Sequence, residues 1–140
     1  MSHLFLDLDG VLADFDAGAR KVLGMSSGDF EARHGKREFW RRLARDKDFY
    51  GSLPLMPDAM LLFEAVKHLE PTILTGLPLG NWAAPQKVRW AVEHFPGTKI
   101  ITTMARDKWE DAGGTFIHHK NARDSLRQLA KIYPSVVVPA

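Results

Sequence analysis

The sequence contains no cysteine. That excludes disulfides, thiolate metal sites and a cysteine nucleophile together, and it fits a reducing compartment. No run approaches the roughly 20 consecutive apolar residues that a membrane helix needs. The N-terminal Leu4-Phe5-Leu6 is too short for a signal core and runs into acids, so a soluble cytoplasmic protein without membrane attachment is expected. Internal repeats and low-complexity stretches are lacking as well. Charge of one sign is scarce: 19 Lys and Arg face 17 Asp and Glu, a net +2. The exception is Lys36-Arg37 and Arg41-Arg42-Leu43-Ala44-Arg45, which reads first as a solvated helix face and second as an attractor of a phosphorylated substrate. No nucleic-acid-binding motif accompanies it, so nucleic acid is not the expected partner.

What is present is enough apolar material, 45% of 140 residues, for one core without covalent staples. The elements alternate. His3 to Leu8 reads as a buried parallel strand, and Asp14–Leu23, Ser27–Arg33 and Lys36–Arg45 read as three helices. Pro54 and Pro57 mark a boundary. Ala59, Leu62, Phe63, Val66 and Leu69 then share a helical face. Thr72–Thr75 reads as a second strand and Gly76–Gly80 as a loop. A helix to about His94 follows, with Val88, Ala91, Val92 and Phe95 as its expected buried stripe. Lys99–Thr102, Thr115–Ile117 and Ser135–Val138 read as further strands, with a helix capped by Asn121 before the last.

This pattern predicts an α/β fold: a doubly wound, parallel, five-stranded Rossmann-like sheet with a small helical cap insertion. The expected core is residues 1–14 and 54–140, and the expected cap is residues 15–53. Ligands of such sheets bind beyond the carboxyl ends of the strands. There the sequence places Asp7, Asp9 and Gly10, then Thr75 and Gly76, then Arg106, Asp107 and Lys108, then His118 and His119.

Asp7 and Asp9 are two residues apart, so their side chains point the same way while the strand continues. Two such carboxylates repel unless a cation or proton resolves the conflict. Gly10 lets the chain turn close to a ligand. Turn-forming acids after a strand would look the same in isolation, and Thr75 alone is an ordinary strand residue.

The longer string, Phe5-Leu6-Asp7-Leu8-Asp9-Gly10-Val11-Leu12-Ala13-Asp14-Phe15, carries more. It resembles the haloacid dehalogenase phosphatase signature, Asp-x-Asp-Gly followed by Val or Thr. Within that superfamily it is most similar to the 5'(3')-deoxyribonucleotidases, which share Asp-Gly-Val-Leu-Ala-Asp-Phe. The similarity continues through Phe49–Leu69, Ile73-Leu74-Thr75, Lys87-Val88-Arg89-Trp90 and Ile100–Lys108.

The resemblance implies a metal-dependent phosphomonoester hydrolase that acts through an aspartyl-phosphate. Asp7 is the implied nucleophile and Asp9 the acid–base. Thr75 and Lys108 are implied to hold the phosphoryl oxygens, with a backbone N–H of Gly76 where the family often has serine. Lys87 is the rival for the lysine role; mid-helix, it reads as a solvated surface residue. The implied substrate is a small phosphorylated molecule, a nucleoside monophosphate or deoxynucleotide. A phosphorylated nucleic-acid end or another phosphate ester is admitted by the short cap. Phe15 is the first candidate to stack on a base, with Phe39, Trp40, Phe49 and Tyr50 available, although packing between cap and core explains most of them.

One signature departs. Where the family ends a strand with two metal-binding acids, this chain has His118-His119. Magnesium prefers oxygen ligands, whereas imidazole suits Zn, Fe or Ni, and Mn accepts mixed sites. Three readings stay open. His118 binds a transition metal alongside Asp7 and the carbonyl of Asp9, and hydrolysis survives. Alternatively magnesium binds through Asp7 and waters, helped by Glu110, Asp111 or Asp124. In the third, catalysis is lost and the fold serves as a phosphate- or partner-binding protein. Strand alternation turns only one of the two histidines to the metal, and His118 is the choice.

Overall fold

A computed structural model of the chain describes residues 3–104 and 119–139. Among them is one parallel sheet of three strands in the order β1-β2-β3: β1 Phe5–Leu6, β2 Thr72–Leu77 and β3 Ile100–Met104. The register pairs Phe5 with Thr72 and Leu6 with Ile73, then runs from Ile73 opposite Ile100 to Leu77 opposite Met104.

The expected five-stranded, doubly wound sheet is therefore corrected. Double winding requires the strand order to reverse, and here it runs β1-β2-β3 without reversal among the described residues. Ser135–Val138 is not a strand. The Val136 N–H donates to the Tyr133 carbonyl at 3.0 Å, which closes a turn straight after the last helix, and Val137 is 73% exposed. The strand expected at Thr115–Ile117 lies outside the described residues.

Three helices follow β1: α1 Phe15–Leu23, α2 Ser27–His34 and α3 Lys36–Arg45. Their limits follow from local chemistry. Asp14 caps α1 by accepting from the Ala17 N–H at 3.1 Å, and Gly24 ends it at φ 76°, a conformation cheap only for glycine. Ser26 caps α2 through the Asp29 N–H at 3.1 Å. Phe30, Phe39 and Leu43 are buried, while the Lys and Arg side of α3 is exposed. The two ends of this segment are stitched together: Asp14 N–H donates to the Pro54 carbonyl and Met56 N–H to that of Leu12, both at 2.8 Å.

α4 Ala59–Val66 and a 3₁₀ turn at Lys67–Leu69 lead into β2. α5 Ala83–His94 joins β2 to β3, and α6 Ala122–Ile132 follows the residues not described. Asn121 caps α6 as expected, accepting from the Asp124 N–H at 2.8 Å, with Ala122, Leu126 and Leu129 buried. No helix among the described residues is long and apolar enough to cross a membrane.

The buried face of α5 differs from expectation. Val88 and Val92 are 40% and 63% exposed, and the face turned inward is Ala83, Lys87, Trp90 and Ala91. β2 also runs two residues further than Thr75, so Gly76 and Leu77 belong to the strand rather than to a loop.

Candidate active site

β1 ends at Leu6, and Asp7 and Asp9 follow on either side of Leu8, which is 1% exposed. Leu8 is the anchor of the turn: its carbonyl accepts from the N–H groups of Val11, Leu12 and Ala13 at 3.3, 2.9 and 2.9 Å. Gly10, at φ 79°, sits in the left-handed conformation the reversal requires. The outcome is a rigid loop that offers two carboxylates. Asp7 Oδ1 accepts from the Leu8 N–H at 2.7 Å.

Asp9 is held from the other side of the sequence. Lys87 Nζ donates to Asp9 Oδ2 at 3.0 Å, to Thr75 Oγ1 at 2.8 Å and to the Gly76 carbonyl at 2.7 Å. An ammonium has three protons, and three acceptors stand here. Lys87 is 0% exposed, so the expectation of a solvated surface lysine is corrected. An unpaired ammonium in that position would cost several kcal/mol, about as much as a whole buried ion pair can return. The three acceptors and the Tyr50 ring, 4.4 Å from Nζ to its centroid, offset that cost. The signal was readable: Ala83, Lys87, Trp90 and Ala91 fall at i, i+4, i+7 and i+8 on one helical face.

Thr75 is 1% exposed within β2, two residues short of the strand end at which the sequence places it. Gly76 contributes its carbonyl to Lys87. Through Lys87 the structure joins Asp9, Thr75 and Gly76, and Asp7 stands two residues before Asp9 with its carboxylate on the Leu8 N–H. Lys108 and His118 lie outside the described residues. His119 is described, and its Nδ1 lies 2.7 Å from Ser125 Oγ in α6.

Beside Asp9 opens a cleft of about 320 Å³ lined by Asp9, Gly10, Asp14, Phe15, Asp16 and Met56. Phe15 is half-buried at the cleft. Its ring also meets Phe39, Trp40, Phe49 and Tyr50 at centroid distances of 5.3 to 6.3 Å. Phe39, Phe49 and Tyr50 are each at most 3% exposed. Burial, and after it the negative charge of Asp9, push the Tyr50 phenol far above its usual range, so it stays neutral.

The segment that carries Tyr50 is clasped by α5. Gln86 Oε1 accepts from the Tyr50 N–H at 2.9 Å, Trp90 Nε1 donates to the Leu53 carbonyl at 2.7 Å, and Arg89 pairs with Asp48.

Three carboxylates line the cleft, so a phosphate dianion entering it meets repulsion unless a cation intervenes. Asp7 and Asp9 are oxygen ligands of the kind a hard divalent cation takes, and such a cation keeps much of its shell as water or substrate oxygen. Among the described residues, no three His, Cys, Asp or Glu converge on one point.

No known family model matches the chain, and no curated protein matches it.

Proposed function

We propose that this chain is a metal-dependent phosphomonoester hydrolase that works through an aspartyl-phosphate at Asp7, as the resemblance to haloacid dehalogenase phosphatases implies. The observation that carries the reading is Lys87, a fully buried ammonium bound at once to Asp9 after β1 and to Thr75 in β2. Burying a lysine on a carboxylate at a strand end is poor economy for stability alone, because an apolar replacement of similar size is often neutral or better. It is well suited to fixing the geometry of a charged reaction centre.

In the proposed reaction, a carboxylate oxygen of Asp7 attacks phosphorus and the ester P–O bond breaks. Asp9, an anion in the resting site, takes up a solvent proton as the substrate enters and gives it to the leaving oxygen. It then takes a proton from the water that attacks the aspartyl-phosphate, which releases inorganic phosphate and restores Asp7. Thr75 holds a phosphoryl oxygen through its hydroxyl. Lys87 acts through its charge and by holding Asp9 and Thr75 in place, since its donors are spent on protein acceptors. A divalent cation, held by Asp7 and Asp9 with His118 as the further candidate, would offset the negative charge of cleft and substrate. Magnesium follows from the resemblance, and Mn, Fe, Ni or Zn follows if His118 is a ligand. Lys108 remains a second proposed phosphate contact. The proposed substrate is a small phosphate ester, a (deoxy)nucleoside monophosphate first, with Phe15 beside the leaving group.

A second reading, a phosphate- or partner-binding protein without turnover, is favoured by His118-His119, which stand where the resemblance expects two metal-binding acids. The deciding experiment assays metal-stripped protein with Mg, Mn, Co, Ni, Fe or Zn added singly. It uses an aryl phosphate and a panel of nucleoside monophosphates, with Asp7→Asn as control. Turnover restored by a metal and absent from the control is expected. A folded protein silent with every metal and substrate overturns the hydrolase reading in favour of binding.

A further inference from the structure

Tyr50 lies on the stretch between α3 and Pro54, and its ring stands over the ammonium of Lys87 at 4.4 Å. Tyr50 is 2% exposed. It is fixed by the same stretch of chain that carries the lysine. Trp82 stacks on its ring at 5.4 Å with 29° between planes, and Gln86 Oε1 accepts from its backbone N–H at 2.9 Å. Trp82 and Lys87 thus meet the Tyr50 ring, and Gln86 holds its backbone.

We propose that Tyr50 is a positioning residue: its ring face holds the Lys87 ammonium in register with Asp9 and Thr75. The chain segment leaving the cap helices then sets the geometry of the phosphate site in the core.

The physical case has three parts. A lysine stem is flexible, with a compact charge that seeks water. Three acceptors attract that charge but do not close the site to water. The negative face of an aromatic ring attracts the cation and excludes water together, and the attraction is strongest when desolvated, as here at 0% lysine exposure. Burial and the neighbouring Asp9 also keep the phenol neutral, so Tyr50 offers a π face without adding another anion to a site already rich in carboxylates.

The kinetic arm of the test rests on the phosphatase reading, and the chemical arm does not. Three replacements separate ring, hydroxyl and shape: Tyr50→Phe, Tyr50→Met, and pentafluorophenylalanine at position 50, which keeps the ring but withdraws its negative face. Thermal unfolding establishes that each is folded, and the fluorinated ring guards against failure of Tyr50→Met to fold. In the chemical arm, an amine-reactive ester is applied and Lys87 labelling is read by peptide mapping. Slow labelling is expected in the wild type and Tyr50→Phe. Labelling about tenfold faster is expected without the negative ring face, from the usual strength of a buried cation–π contact. In the kinetic arm, the same two variants lose about tenfold in kcat with KM little changed, and Tyr50→Phe restores most of it. The proposal is overturned if the fluorinated ring shields Lys87 as well as phenylalanine does, or if Tyr50→Phe labels as fast as Tyr50→Met. If the wild type turns over no substrate with any metal, the hydrolase reading fails and the labelling alone decides the role of Tyr50.

Discussion

Lys87 and Asp9 meet 3.0 Å apart across 78 residues of sequence, the lysine side chain 0% exposed and the aspartate side chain 30% exposed. The asymmetry matters. The carboxylate reaches the cleft while the cation that restrains it is sealed behind it, so the pair presents a fixed anion to whatever enters.

Removal of that cation should damage function more than folding. Lys87→Met is expected to lower kcat/KM by about 10²–10³, the usual effect of deleting one group that organises charge in a site. It leaves Asp9, Thr75 and the Gly76 carbonyl without their shared donor. Because Asp9 keeps access to water, the stability loss should be about 1–3 kcal/mol rather than the larger penalty of a fully buried orphan charge. Lys87→Arg should not rescue activity, since a planar guanidinium cannot meet three acceptors arranged around one nitrogen. Urea titrations and steady-state kinetics on the two variants check both statements.

How much of this could be read beforehand depends on which side chains announce their surroundings. The limits of α1 and α3 were legible because Asp14, Gly24 and Gly35 carry their meaning in local chemistry. Asp7, Asp9 and Gly10 stood out because their order along one strand–turn string is specific, whereas Thr75 drew its meaning only from the resemblance. The role of Lys87 was not, because a charged residue in a helix is read as solvated, and that assumption rotated the expected face of α5 onto Val88 and Val92. Trp90, with Ala83 and Ala91 as small neighbours, marked the true face. The sheet was over-read for a different reason. Ser135–Val138 has β-branched composition, but a strand needs a partner, and the turn to Tyr133 places it after α6 without one among the described residues.

Alkaline pH should reveal Tyr50. Its phenol is raised above the usual value, first by burial and then by Asp9. Above about pH 10 the unfolded chain releases the Tyr50 proton and the folded chain retains it. The folded state then binds more protons, so stability falls as pH rises, by at most about 1.4 kcal/mol per pH unit from this group. Tyrosinate absorbance should show the Tyr50 component appearing only together with loss of secondary structure. Tyr50→Phe should lack both that component and its share of the slope. A Tyr50 phenolate that forms reversibly in the folded protein would contradict this.

Gly18 is a contact glycine. It lies in α1 against Leu53 and Phe49, and a Cβ there would run into the Leu53 side chain. Leu53 is 3% exposed and its carbonyl is bound by Trp90, so it has little room to withdraw. Gly18→Ala gains helix propensity but overpacks, and the second effect should win by about 1–3 kcal/mol. A fall in Tm checks it; an unchanged or raised Tm would mean that Leu53 finds another rotamer at no cost.

Asp58 performs a structural duty remote from the cleft. Its Oδ2 accepts from the Ala122 N–H at 2.7 Å, which places a carboxylate at the N-terminus of α6 from a residue 64 positions earlier. Asn121 serves the Asp124 N–H, so the two side chains satisfy different orphan donors of the same helix end. Asp58→Ala removes both an acceptor and a charge that complements the helix dipole, and should cost about 1–2 kcal/mol. Asp58→Asn keeps an acceptor and should cost less than half of that, because only the charge is lost. Denaturant midpoints rank the two variants, and catalysis should follow the wild type in both wherever the protein is folded. Equal losses in the two would show that the charge, rather than the hydrogen bond, anchors α6 beside the start of α4.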